Sequence, residues 1–99
     1  MEQMRRQWVE RAERRTSSIS VDVSGPTTPS FSARVRNISA SGMLVETPHD
    51  LRIGDVLTVR MPAAGEVLCA VVRSRSGTAG LRFIKSLGEK IVRASAITR

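Results

Sequence analysis

From Ile19 onward the apolar residues of this chain recur at every second position, in short runs cut by glycine, proline and serine. That period constrains the fold more than any other feature. It sends successive side chains to opposite faces of an extended strand, so each run has one face for a core and one for solvent. Ile19, Val21 and Val23 form a first run that ends before Ser24-Gly25-Pro26. Phe31, Ala33 and Val35 alternate with Ser32, Arg34 and Arg36 in a second. Ser39 to Gly42 is a sharp turn into Met43-Leu44-Val45-Glu46, and residues 47–55 form a loop closing on Gly54-Asp55. Leu57, Val59 and Met61 make a fourth strand ended by Pro62, and Ala63-Ala64-Gly65 connects it to a long strand from Glu66 to Ser74. Ser76-Gly77-Thr78 and Gly80 flank the turn before a last strand, Leu81-Arg82-Phe83-Ile84. Short strands at this spacing predict a mainly β chain folded as a six-stranded antiparallel β-barrel.

The period changes again at both ends. Leu87, Ile91, Val92 and Ser95 follow a helical spacing, which predicts a C-terminal α-helix over 86–97 that caps the open end of the barrel. Residues 1–15 hold neither glycine nor proline, and Met4, Trp8 and Arg11 fall at i, i+4 and i+7. So thin a stripe on so short a segment is marginal without packing, so this stretch reads as a flexible basic N-terminal arm. The expected division is an arm over 1–15 and a barrel domain with its terminal helix over 16–99.

At 99 residues the chain makes one small domain, burying roughly 60–65% of its unfolded surface. Trp8, Phe31 and Phe83 are its aromatics, so Val, Ile, Leu, Met and Ala must build the core. The formal charge is +7, from 16 Lys and Arg against 9 Asp and Glu. Fourteen of those cations are arginine, with Lys85 and Lys90 the exceptions. Arginine is favoured where a planar fork grips phosphate or a guanine edge, although a GC-rich genome gives the same bias. Charge therefore points to an anionic partner without naming it. Cys69 is the single cysteine, which excludes an internal disulfide and a cysteine metal cluster. Met1 to Arg6 lacks the apolar core of a signal peptide, and no apolar run approaches the ~20 residues of a membrane span. The expectation is a cytoplasmic chain without membrane insertion.

Two motifs remain as candidate chemistry. Arg11-Ala12-Glu13-Arg14-Arg15 is an R-x-x-x-R segment leading into the first strand. Asn37-Ile38-Ser39-Ala40-Ser41-Gly42 is an N-x-S-x-x-G turn leaving a strand whose outward residues are arginines, which puts the Asn37 amide on the surface of Arg34 or at its rim. Asparagine and serine offer donors and acceptors to a purine edge, and Gly42 permits a positive φ or a close backbone approach. Each motif has a plainer reading: Asn, Ser and Gly build any tight turn, and an Arg/Glu run makes a solvated face. His49 lacks a nominated partner, and Asp22, Asp50 and Asp55 are scattered. No catalytic residue, metal site or cofactor is expected, and hence no enzyme.

In order and on this strand pattern, the two motifs resemble the PilZ domain, the bacterial receptor module for cyclic di-GMP. The likeness extends through Arg34–Ser39, Gly42–Glu46, the Gly54-Asp55 turn and Gly80-Leu81-Arg82-Phe83, covering about residues 11–86. The resemblance implies that Arg11, Arg14 and Arg15 take phosphates and a guanine Hoogsteen edge, while Asn37, Ser39 and Gly42 surround a guanine. In one respect the chain departs from the family: Thr16-Ser17-Ser18 separate Arg15 from Ile19, where the second arginine usually lies very close to the strand. The implied function is a cyclic di-GMP receptor that relays ligand binding to an effector protein. Two other classes are a degenerate adaptor of the same fold that binds only protein, and a nucleic-acid-binding barrel. The second would call for exposed aromatics, which this composition scarcely supplies.

Overall fold

The computed structural model describes residues 15–96. Seven strands and one helix follow one another as β1 (Arg15–Thr16), β2 (Ser20–Ser24), β3 (Phe31–Ile38), β4 (Gly42–Glu46), β5 (Val56–Met61), β6 (Gly65–Arg75), β7 (Thr78–Phe83) and α1 (Glu89–Ser95). The expected arm up to residue 14 and the helix beyond residue 96 lie outside the described residues. Pairing runs β2-β5-β6-β7-β4 along the sheet, and β3 bonds to both β2 and β4. Six strands thus close into an antiparallel barrel, and β1 is a further short strand outside the ring.

Closure turns one face of every strand inward. Val21, Val23, Ala33, Val35, Ile38, Met43, Val45, Leu57, Val59, Met61, Cys69, Val71, Ala79, Leu81 and Phe83 fill the interior, with Val92 of α1 covering one end. The expected alternation holds over most of each strand, but two bulges interrupt it. Against β4 the β3 register shifts between Val35 and Asn37, leaving Arg36 as the extra residue. Against β7 the β6 register shifts between Val71 and Arg73, leaving Val72 as the extra residue. Each bulge puts two neighbouring residues on the outer face and then restores the inward phase.

Several boundaries differ from the sequence reading. The turn before β7 is Ser76-Gly77 alone, both at positive φ (38° and 85°), so Thr78 already pairs with Arg75. Two such residues match the right-handed twist of the strands they join, which makes a two-residue hairpin favourable. The helix begins at Glu89, three residues after the expected start, because Gly88 is extended and breaks the helical path, while Leu87 N–H bonds to the Ala40 carbonyl at 3.0 Å. Strand β1 shows how Thr16–Ser18 are accommodated. Arg15 and Thr16 pair with Ile38 and Asn37, while Ser20 and Val21 pair with Arg34 and Ala33. Between these pairs three residues on one side face two on the other. The link still bonds to β3, through Ser17 N–H to Arg36 O at 2.9 Å and Val35 N–H to Ile19 O at 2.8 Å.

Gly42 is required by the packing of β4 on β7. A Cβ built on it would clash with the Leu81 carbonyl oxygen, a backbone atom with little room to retreat. Gly42→Ala should therefore destabilise the barrel by roughly 2–3 kcal/mol, the upper part of the range for overpacking, measured by urea denaturation. Cys69 is fully buried, and burial raises its thiol from 9.0 to about 12. The unfolded thiol ionises first, so the stability tied to this group is intact below pH 9 and is lost as pH rises toward 12. Between pH 8 and 10.5 the wild type should lose roughly 1–2 kcal/mol more stability than Cys69→Ala, measured by denaturant titration at both pH values.

Candidate functional site

The N-x-S-x-x-G turn is built from the β3 bulge outward. Strict alternation from Val35 would send Asn37 into the core beside it. With Arg36 as the extra residue, Asn37 instead lies half-buried on the outer side, and Ile38 takes the inward position with no exposed surface. Asn37 therefore joins Arg34 and Arg36 on the outer wall, between Thr16 of β1 and Leu44 of β4. The turn behind it is tied to itself. Ser39 donates its N–H to Gly42 O at 2.9 Å, and its hydroxyl lies 3.2 Å from Ser41 Oγ and accepts the Ser41 N–H at 3.3 Å. Ser39 is buried, so its hydroxyl works on the shape of the turn, and Gly42 is pressed against the Leu81 backbone.

Arg15 reaches the same end of the barrel by another route. Its backbone is paired to Ile38, one strand from the turn, yet its guanidinium Nη2 meets Glu89 Oε2 of α1 at 3.3 Å. The same carboxylate oxygen is ion-paired with Arg93 Nε at 3.4 Å, so one acid faces two arginines. Two further contacts join these pieces. Ser17 Oγ donates to Ser95 O at 2.6 Å beneath the helix, and Leu87 N–H bonds to Ala40 O in the turn. Strand β1, the Ser39–Gly42 turn and α1 therefore form one cluster at one end of the barrel. Of the residues singled out by sequence, Arg15, Asn37, Ser39 and Gly42 gather here, and Arg11 and Arg14 lie outside the described residues.

Two arginines beside the turn were not nominated from sequence. Arg36 is the extra residue of the bulge, its Nε 3.7 Å from Glu46 Oε2. Arg82 is paired with Gly42 across β4 and β7, exposed on the outer wall. Only strand order places Arg82 there, forty residues from Gly42 in sequence; no local pattern signals it. The far end of the barrel carries a cavity of about 360 Å³ between Thr27–Pro29 and His49–Arg52. His49 stands there edge-on to Phe31, ring centroids 5.2 Å apart. Among the described residues no group of three His, Cys, Asp or Glu is arranged to hold a metal ion. Nor is any described helix long and apolar enough to cross a membrane.

This barrel with its terminal helix is similar to a solved structure described as the PilZ domain with c-di-GMP of YcgR from Escherichia coli. The match has a TM-score of 0.58 at 13% identity and covers 88% of this chain and 86% of that one, a likeness of fold. A search of curated proteins finds no match. The sequence itself matches the family model of the PilZ domain over residues 5–95, nearly its whole length. The chain belongs to the PilZ domain family.

Proposed function

We propose that this chain is a receptor module for cyclic di-GMP that relays ligand binding to a partner protein. The observation that carries the reading is the β1–β3 pairing, which sets the last arginine of R-x-x-x-R one strand from the asparagine of N-x-S-x-x-G. The family membership and the c-di-GMP named for the YcgR domain support the same ligand. In this reading Asn37 meets a guanine edge on the outer wall, while Ser39 and Gly42 hold the turn in the shape the guanine needs. Arg11, Arg14 and Arg15 take phosphates and the Hoogsteen edge, and Arg82 adds positive charge beside Gly42.

Glu89 makes this binding a switch. Arg15 cannot serve Glu89 and a ligand phosphate fully at once, so the nucleotide draws Arg15 from α1 and alters the helix surface offered to a partner. A ligand shifts such an equilibrium only by its differential affinity for the two states, and the Arg15–Glu89 contact is where that difference arises. A second reading is an adaptor of the same fold that binds protein alone. It is favoured by the same contact, since Glu89 already engages Arg15, and by Ser39, whose hydroxyl is turned into the loop.

Calorimetric titration with cyclic di-GMP separates the two readings. The receptor binds in the micromolar range or tighter, and absence of heat at high micromolar nucleotide leaves the protein-only adaptor. Given binding, Arg15→Ala and Asn37→Ala should each weaken it by about 1–3 kcal/mol. Glu89→Gln should tighten it up to about fivefold, the worth of an exposed ion pair; tightening would be absent if Arg15 stayed with the helix.

A further inference from the structure

The outer face of β5, β6 and β7 carries an apolar patch with no counterpart elsewhere on the described surface. Val56, Leu68, Val72 and Ile84 on this face, with Ile53 at its edge, are 45–63% exposed. Register makes them neighbours. Leu68, Ala70 and Val72 alternate outward along β6, Val56 is paired to Ala70, and the Ile84 N–H bonds to Leu68 O at 3.0 Å. Ile53 precedes Gly54, whose N–H bonds to Val71 O at 2.7 Å. Five large side chains half exposed on one surface are a continuous patch, unlike the single exposed apolar residues any protein carries. Ala70, half-buried, forms its floor, with Leu68, Val72 and Val56 standing around it.

The exposed charges that flank the patch toward β7 are basic. Arg82 is paired to Ala70 on the side facing β7, Arg73 follows Val72, and Lys85 follows Ile84. All three are exposed, and among the described residues none is in an ion pair with an acid. The neighbouring acids are Glu66, held by Arg60 at 2.9 Å, and Asp55, half-buried just before β5. A second copy docked on this face would bring Arg73, Arg82 and Lys85 against their own like charges. The ring leaves no free strand edge here, so a partner must dock by side chains on the sheet face.

We propose that this face is the partner-docking surface, and that it takes an amphipathic helix of another protein whose apolar stripe is flanked by aspartate or glutamate. The stripe fills the depression over Ala70, and the acids meet Arg73, Arg82 and Lys85. Arg82 stands between Ala70 and Gly42 in one cross-strand row, so the patch adjoins the nucleotide-binding turn. The inference rests on the partner half of the function above and not on its nucleotide half.

The test uses the full chain without nucleotide and two dye-labelled synthetic helical peptides sharing one leucine stripe, flanked by glutamates in one and lysines in the other. Fluorescence anisotropy should show the glutamate peptide binding about tenfold tighter or more. Leu68→Asp and Ile84→Asp should each weaken it by a similar factor, and added salt should weaken it further. Arg73→Glu with Lys85→Glu, both on exposed side chains, should reverse the preference between peptides even if the apolar variants fail to fold. Equal binding of both peptides, or no binding of either, overturns the proposal. So does binding of phosphatidylglycerol vesicles in place of the peptide, which assigns the patch to a lipid surface. Sedimentation of the wild type as a dimer that Leu68→Asp dissolves assigns it to a second copy. Because nucleotide is omitted, a failed cyclic di-GMP titration does not bear on the outcome.

Discussion

The barrel depends on the two edges of β3. One edge pairs with β2 and then, beyond a bulged link, with β1, and the other pairs with β4. Without the β3–β4 pairing the strands would form an open sheet with free edges and an apolar face too large for α1 to cover. With it, backbone donors and acceptors meet around the ring and a small aliphatic interior becomes a closed core. A core made mainly of Val, Leu, Ile and Met suffices because closure, not aromatic bulk, removes it from water. The same pairing also holds Arg15 and Asn37 on adjacent strands.

Because the interior is filled with side chains, anything the protein binds must be met on the outside. The two bulges decide what is offered there. On β3 the extra residue Arg36 turns Asn37 outward and keeps Ile38 inward; on β6 the extra residue Val72 puts Val72 and Arg73 side by side on the surface. One bulge shapes the Ser39–Gly42 turn and the other the apolar patch. A single inserted residue costs little ladder pairing but re-aims the side chains on either side of it.

The cluster of β1, the Ser39–Gly42 turn and α1 is held differently from the ring. A two-residue strand and a seven-residue helix contribute few buried side chains, Val92 chief among them. Their links are a few hydrogen bonds, of which Ser17 Oγ to Ser95 O is buried, and ion pairs on exposed or half-exposed side chains that are individually worth about 0–1 kcal/mol. This end therefore opens at lower free energy than the barrel wall, a fitting place for a response to a ligand.

The two-residue period showed the six strands of the ring and most of their inward faces directly, because alternation between core and solvent is a local consequence of strand geometry; β1, two residues long, carries no such signal. Asn37, Ser39 and Gly42 were legible for a similar reason: turn chemistry is written in consecutive residues. What could not be read locally was phase and neighbourhood. The place of Asn37 at the strand's end puts it on the surface of Arg34, but strict alternation points it inward, and only pairing with β4 shows the bulge that reverses it. Gly42 reads as freedom for a turn, yet the nearness of Leu81 is what excludes a side chain. Arg82 beside Gly42, Glu89 on Arg15 and the joining of Val56, Leu68, Val72 and Ile84 all follow from strand order and helix docking. Sequence by itself determined a barrel of alternating strands with a turn and arginines suited to an anion. Tertiary structure alone decided which residues share a surface, because hydrogen-bond register between distant strands, not spacing along the chain, sets who stands next to whom.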